Sequence, residues 1–287
     1  MKAGPFSLEQ TMPTPNCWVG MCKCRCEARL GKNVGVRDPG HFESVAASYR
    51  AARPTYPSVL YEILDEQGAI GPGRRVLEIG AGTGEATGEL VRRGSMVVAV
   101  EPGLELATRL RQACPEVSVL VSRVEDVDLV GHRFDSVVAA TSMHWVDLPT
   151  VLPRLGQALE PGGLLAVWRT VFGDPRMSTP FRRAVAEIVA RRGETIPRAD
   201  PLDPRPTVAE LEAGRMFRLV DTWQWPWQID LDAIQIRALF TTFSDWKDPA
   251  ELDAVQAAAV AQSGPVTEHY VTILHLLRST TEETLPS

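Results

Sequence analysis

Glu78, Gly80, Gly82 and Gly84 stand at alternate positions in "VLEIGAGTGEATGEL", and Glu101 follows in "VVAVEP". Glycines at that spacing, between a strand and a helix, let a ribose or phosphate approach the backbone without meeting a side chain. An acid at the tip of the next strand suits the two hydroxyls of a ribose. Three cofactors compete for such a turn. A phosphate-binding loop requires Gly-Lys-Ser/Thr at the helix entry, whereas Glu85-Ala86-Thr87 follows Gly84. A dinucleotide turn requires a small residue where Glu85 stands, and a carboxylate at a helix start repels a pyrophosphate. S-adenosylmethionine carries no phosphate and is a sulfonium bearing an amino acid. It tolerates Glu85 and suits an acid at Glu78. The turn is therefore expected to hold S-adenosylmethionine, with a nicotinamide oxidoreductase as the disfavoured alternative.

Other chemistry-bearing residues are fewer. His144, in "MHWVD", is the candidate general base, for a base is needed when a methyl acceptor is a neutral hydroxyl. The competing expectation has His144 bonded to backbone at a tight turn while Trp145 packs beside the cofactor. Trp223, Trp225 and Trp227 alternate along a strand, and Trp223, with Trp145, is a candidate lining for an acceptor pocket, against simple packing of a strand face. His269 and His275 also alternate and read as structural. Cys17, Cys22, Cys24 and Cys26 lack the paired spacing of a structural zinc site, so no metal is expected.

These residues need elements to position them. Apolar spacing predicts a helix over Phe42–Tyr49 and another over Val59–Leu64 that stops at Gly68. Strands are expected at Val76–Ile79, Met96–Val100, Val117–Val121, Phe134–Ala140 and Leu164–Trp168. Helices at Glu85–Arg93, Leu104–Ala113 and Thr150–Leu159 intervene. Continuous apolar strands separated by helices mean an α/β fold, a doubly wound, mostly parallel sheet with helices on both faces. Phe181–Val189 reads as an amphipathic cap helix, and Thr207 with Glu210 as a capping box. Phe217–Trp227 and Val266–Leu277 are strand-like, and Asp230 and Asp248 are expected to cap two further helices.

The chain has 287 residues, 44% hydrophobic and 23% charged, with a net charge of −6. An acidic total argues against nucleic acid as the main partner. The Asn/Asp-Pro-Pro-Tyr turn of amino-methylating nucleic-acid enzymes is absent, its place taken by Thr141-Ser-Met-His144. No apolar run is long enough to span a bilayer, so no membrane partner and a cytoplasmic location are expected. Residues 1–40 read as a flexible extension and 41–287 as one domain. Within that domain, 70–170 form the cofactor core, 173–214 the cap, and 215–280 the terminal strands and helices.

The quoted motifs resemble those of class I S-adenosylmethionine-dependent methyltransferases. "FDSVVAATSMHWVD" is similar to the fourth-strand motif of their small-molecule branch, the type 11 methyltransferases, and "YRAARPTYP" to the signature preceding its core. The likeness covers about His41 to Thr170. It implies a seven-stranded Rossmann-like sheet with two further strands, the last antiparallel, and transfer of a methyl group to a small-molecule acceptor. It also implies cofactor contacts at Gly80, Ala81 and Gly82, ribose binding by Glu101, and adenine contact by Glu125 or Asp126. Tyr49 and Arg53 would meet the methionine end, and Thr83, Gly84, Pro102 and Ala140 complete the candidate cofactor set. A cofactor-binding protein that works by interaction is the alternative.

Overall fold

The computed structural model of the chain describes residues 52–193, 202 and 205–281. The expected extension, its cysteines, the helix over Phe42–Tyr49 and most of the segment 194–204 lie outside them.

Helix α1 (Ser58–Glu66) buries Leu60, Tyr61 and Leu64 and ends at Gly68, whose φ of +71° is the left-handed conformation of a helix stop. Alternation follows: β1 (Arg75–Ile79), α2 (Thr87–Arg92), β2 (Met96–Val100), α3 (Leu104–Ala113), β3 (Ser118–Leu120), β4 (Phe134–Ala140), α4 (Leu148–Ala158) and β5 (Leu159–Phe172). Then come α5 (Pro180–Ala190), α6 (Val208–Glu212), β6 (Phe217–Leu231), α7 (Ala233–Thr241), α8 (Pro249–Val260) and β7 (Val266–Ser279). The seven strands form one sheet in the order β3-β2-β1-β4-β5-β7-β6. β1 to β5 pair in parallel, and β7 runs antiparallel between β5 and β6. The sheet is α/β, doubly wound and mostly parallel, and the order in which its strands are added reverses between β1 and β4, where ligands bind in such folds.

Residues alternate between two cores. One face of the sheet packs Val76, Ala99, Val138 and Trp168 against α1 and α2. The other packs Leu77, Ile79, Val137 and Leu165 against α4 and Leu211 of α6. A third cluster joins Phe181 and Ile188 of α5, Ile236 and Phe240 of α7, Val255 of α8, and Trp246 to Leu231, Val266 and Tyr270 at the strand ends. Those ends lie where β5 and β6 finish and β7 begins. The helical cap therefore stands over the carboxyl edge of the parallel strands.

The cap differs from expectation in its origin. It comes from two segments, α5 and the α7–α8 hairpin inserted between β6 and β7, while α6 joins the main core. β5 also runs longer than expected. Its "PGG" is absorbed in a register shift between Phe134 and Ser136 of β4, and it continues four residues past Trp168. Asp230 is no cap. It lies in β6 and accepts a hydrogen bond from Thr267 Oγ1 at 2.6 Å, whereas Asp232 caps α7 in a box with Gln235. Asp248 caps α8, with Pro249 at its first position.

Arg182 of α5 forms a forked pair with Glu268 of β7, its Nε 3.0 Å from Oε1, and Glu268 is wholly buried. Burial pushes the Glu268 carboxyl up and Arg182 opposes that. The guanidinium fills the space a Cβ on Gly173 would need, which accounts for glycine there at φ +86°. Removing one partner of a buried pair leaves the other charge unpaired. Arg182→Met should lower stability by about 2–3 kcal/mol, below the full-burial range because Arg182 keeps some solvent. An unchanged urea midpoint would mean that apolar packing alone seats the cap.

Candidate active site

The strands β1, β2, β4 and β5 end around one cavity of about 540 Å³. Its floor begins at Ile79, where the chain leaves β1 through Gly80 at φ +66°. Gly80 N–H and Ala81 N–H both donate to Val100 O, at 2.8 and 3.2 Å, which folds the turn back onto the end of β2. Ser142 Oγ donates to Ile79 O and ties the end of β4 to the same place. A Cβ on Gly80 would stand 2.5 Å from Ser142 Cβ. Gly80→Ala should therefore cost about 1–3 kcal/mol in strain and displacement, read by chemical denaturation, and an unchanged midpoint would contradict this turn.

Glu101, buried at the tip of β2, accepts Gly82 N–H at Oε2 and Gly103 N–H at Oε1, both at 2.8 Å. One carboxylate thus holds the glycine turn and the start of α3. Glu78 lies beneath. It is wholly buried, Thr87 Oγ1 donates to its Oε2 at 2.6 Å, and Oε1 has no hydrogen-bond partner. Burial pushes its carboxyl up from 4.5 to about 8, Thr87 opposes the shift, and the charges of Glu85 and Glu101 add to it. Glu125 lies on the 3-10 turn Val124–Asp126 at the cavity's rim. Burial raises its carboxyl, but Asp147 N–H at 3.0 Å and Arg123 prevail and hold it below the usual range.

Three carboxylates (Glu85, Glu101, Glu125), two guanidiniums (Arg53, Arg123) and the buried acid Glu78, which holds its proton at neutral pH until a cation draws it off, line this cavity. That balance suits a cationic ligand and opposes a pyrophosphate. Comparisons with known proteins agree. A family model described as a methyltransferase domain matches residues 77–167. An uncharacterized methyltransferase of Mycobacterium tuberculosis is 33% identical over 244 residues, 81% of this chain and 93% of that protein. This chain belongs to the class I S-adenosylmethionine-dependent methyltransferases. A solved structure assigned as a type II methyltransferase from Anaeromyxobacter dehalogenans is 25% identical, covers 79% of this chain and 97% of its own, and superposes with a TM-score of 0.55. An uncharacterized methyltransferase of Schizosaccharomyces pombe is 28% identical over 177 residues, 61% of this chain and 67% of its own.

Of the residues singled out for a methyltransferase site, Arg53, Glu78, Gly80, Ala81, Gly82, Glu101, Pro102, Glu125, Ala140 and Trp145 line the cavity. Thr83, Gly84, Asp126, His144 and Trp223 do not. Thr83 is buried beneath the turn, its hydroxyl donating to Glu85. Gly84 is packing space, since a Cβ there would come within 2.7 Å of Leu110 Cδ1. His144 turns into a small recess beside Arg169 and His275, although Trp145 next to it faces the cavity. Trp223 lies against the α1 face of the sheet. Tyr49 lies outside the described residues. The helix expected from Glu85 begins at Thr87, so Glu85 belongs to the turn and reaches the cavity directly.

Sequence reading missed Tyr56, Thr141, Ser142, Thr170 and Phe172, which also line the cavity. Thr141 is β-branched yet sits at φ +56°, strained backbone of the kind that gathers at functional sites, and its Oγ1 lies 3.1 Å from Tyr56 Oη. Its place directly after β4 was the available signal. Among the described residues no group of three or more His, Cys, Asp or Glu is placed to hold a metal, and no helix is long and apolar enough to cross a membrane.

Proposed function

We propose that this cavity binds S-adenosylmethionine and that the chain transfers its methyl group to a small-molecule acceptor by in-line displacement. The observation that carries the reading is Glu78, a cavity-lining residue whose buried Oε1 has no hydrogen-bond partner, beneath a glycine turn that Glu101 holds in place. An orphaned carboxylate oxygen in an apolar setting calls for a donor or a cation, and the cofactor brings both.

The residues fit the group part by part. Backbone of Gly80, Ala81 and Gly82 would face it where side chains would clash. Glu101 would receive the ribose hydroxyls, with Pro102 beside the ring, and Glu125 the adenine amino group. Ala140 and Trp145 would flank the sulfonium end. The bound cofactor supplies a methyl carbon already activated by the sulfonium. The chain's part is to align an acceptor with it and exclude water, and positioning of that kind can supply roughly 7–11 kcal/mol. Phe172, at the cavity's edge, packs against the cap, and the cavity of about 540 Å³ supports an acceptor of small-molecule size. His144 takes no part in this arrangement.

Thermal unfolding with S-adenosylmethionine, S-adenosylhomocysteine and NAD tests the reading. A ligand at about 100 times its dissociation constant stabilises by roughly 2.7 kcal/mol, a shift of a few degrees at this size. A rise with the first two alone is expected, and a rise with NAD alone would overturn the reading. Binding without transfer of label from methyl-tritiated S-adenosylmethionine would favour the non-transferring alternative.

A further inference from the structure

The cap end of the cavity carries a hydrogen-bond chain whose direction can be worked out. Trp227 Nε1 lies 2.9 Å from Thr272 Oγ1, and Thr272 Oγ1 lies 2.9 Å from Thr170 Oγ1, its partner directly across β5 and β7. An indole N–H only donates, so Thr272 accepts from Trp227. Thr272 is wholly buried, and Thr170 is the hydrogen-bond acceptor within reach of its own proton. The Thr170 proton is thereby turned away from Thr272, and Thr170 lines the cavity. A buried relay presents one fixed hydroxyl donor to whatever occupies that end.

A cation stands beside it. Arg53 Nε donates to Thr242 Oγ1 at 2.8 Å and its Nη2 to Thr242 O at 3.1 Å. Its guanidinium sits 4.7 Å from the ring centroid of Phe172 and 4.8 Å from that of Phe243. Phe172 is two residues beyond Thr170, on the same face of β5. The carboxylates lie elsewhere: Glu78, Glu85 and Glu101 at the glycine turn, Glu125 on the opposite rim. Among the described residues, no histidine or carboxylate from β5 or the cap lines the cavity.

That combination of a cation, a fixed donor and no general base describes an acceptor that arrives already nucleophilic and negative. We propose that the cap end of the cavity is a carboxylate subsite and that the acceptor is a small carboxylic acid, methylated on a carboxylate oxygen. The inference rests on the methyltransferase reading above. A lone pair of the carboxylate oxygen forms the new O–C bond as the C–S bond breaks, and that electron pair passes to sulfur. Anion and cation become neutral methyl ester and neutral thioether, and no proton moves, so no base is required. The loss of both charges is favoured in a cavity with little water. In this proposal Arg53 and Thr170 touch the acceptor, which replaces the contact with the methionine end that the resemblance implied for Arg53, while Thr272 and Trp227 are positioning residues.

The test uses the full chain, methyl-tritiated S-adenosylmethionine, a panel of small aliphatic and aromatic mono-, di- and tricarboxylic acids, the matching amides and alcohols, and the small-molecule fraction of a bacterial lysate. Expected is label in products that release volatile methanol on mild alkaline treatment, as methyl esters do, and none with amides or alcohols. Thr170→Val should lower kcat/KM for acids by about 10- to 100-fold, the loss of one hydrogen bond to a charged group. Thr170→Ser should restore it, and the thermal shift with S-adenosylhomocysteine should survive in both. Base-stable label, or no label from panel or extract while S-adenosylhomocysteine still binds, overturns the carboxylate proposal and leaves the methyltransferase reading standing. If Arg53→Met weakens S-adenosylhomocysteine as much as it weakens acid turnover, the guanidinium serves the cofactor and the subsite falls. Failure to bind S-adenosylhomocysteine at all counts against the broader reading instead.

Discussion

Glu101→Gln should abolish the thermal shift produced by S-adenosylhomocysteine. The carboxylate has two tasks within one residue. It accepts the N–H groups of Gly82 and Gly103, which fixes the turn and the start of α3 against the end of β2. On the proposed function it also receives the ribose hydroxyls, and a carboxylate offers about four lone-pair sites, enough for both. An amide cannot do this, because each carboxylate oxygen already accepts a backbone N–H, and the NH2 that replaces one of them would meet that N–H donor against donor. Two hydrogen bonds to a charged group are worth about 3–6 kcal/mol together, or roughly 10²- to 10⁴-fold in affinity. The unliganded protein should lose only about 1–3 kcal/mol, the penalty of a buried N–H left without a partner. A variant that keeps the full shift would remove Glu101 from the cofactor site.

The half of the site built from neighbours in sequence was legible. Glu78, the glycines and Glu101 span one strand–turn–helix–strand unit, so local spacing carries their geometry. The parallel core was legible for the same reason, since strand and helix periods differ and each element is set by its own apolar pattern. The cap end was not. Arg53 meets Thr242 across 189 positions, and Thr170 meets Thr272 across 102, contacts that no local pattern encodes. Drawing β5 only to Trp168 also left Thr170 and Phe172 outside any element. His144 and Trp145 show a finer limit. Both belong to the 3-10 turn Met143–Trp145, and one turn carries its side chains into different spaces. Trp223 was visible as one of an alternating row, but alternation does not say which face of an edge strand meets the core.

Glu78 sets a pH dependence whose sign follows from its burial. In the unfolded chain its carboxyl ionises near 4.5, and in the folded chain near 8. Between those values the folded state holds a proton that the unfolded state has released. Stability is therefore fully present below about 4.5 and falls as pH rises, by at most about 1.4 kcal/mol per unit, until the loss is complete above about 8. Glu78→Gln keeps the shape and removes the titration. It should flatten this part of the profile and make the unliganded protein more stable at pH 8.5, by at most about 5 kcal/mol over the whole window. A profile of the same slope in the variant would show that another group carries it. Cofactor binding should move the other way. A cationic ligand beside Oε1 favours the ionised carboxyl, so wild-type affinity for S-adenosylmethionine should climb with pH up to about 8, with protons released on binding below that. Calorimetry in two buffers of different ionisation enthalpy measures the release. In Glu78→Gln the proton release and the climb should vanish together, while affinity at pH 8.5 drops: a variant more stable when empty and weaker when loaded, the pairing expected of a buried acid kept for its ligand.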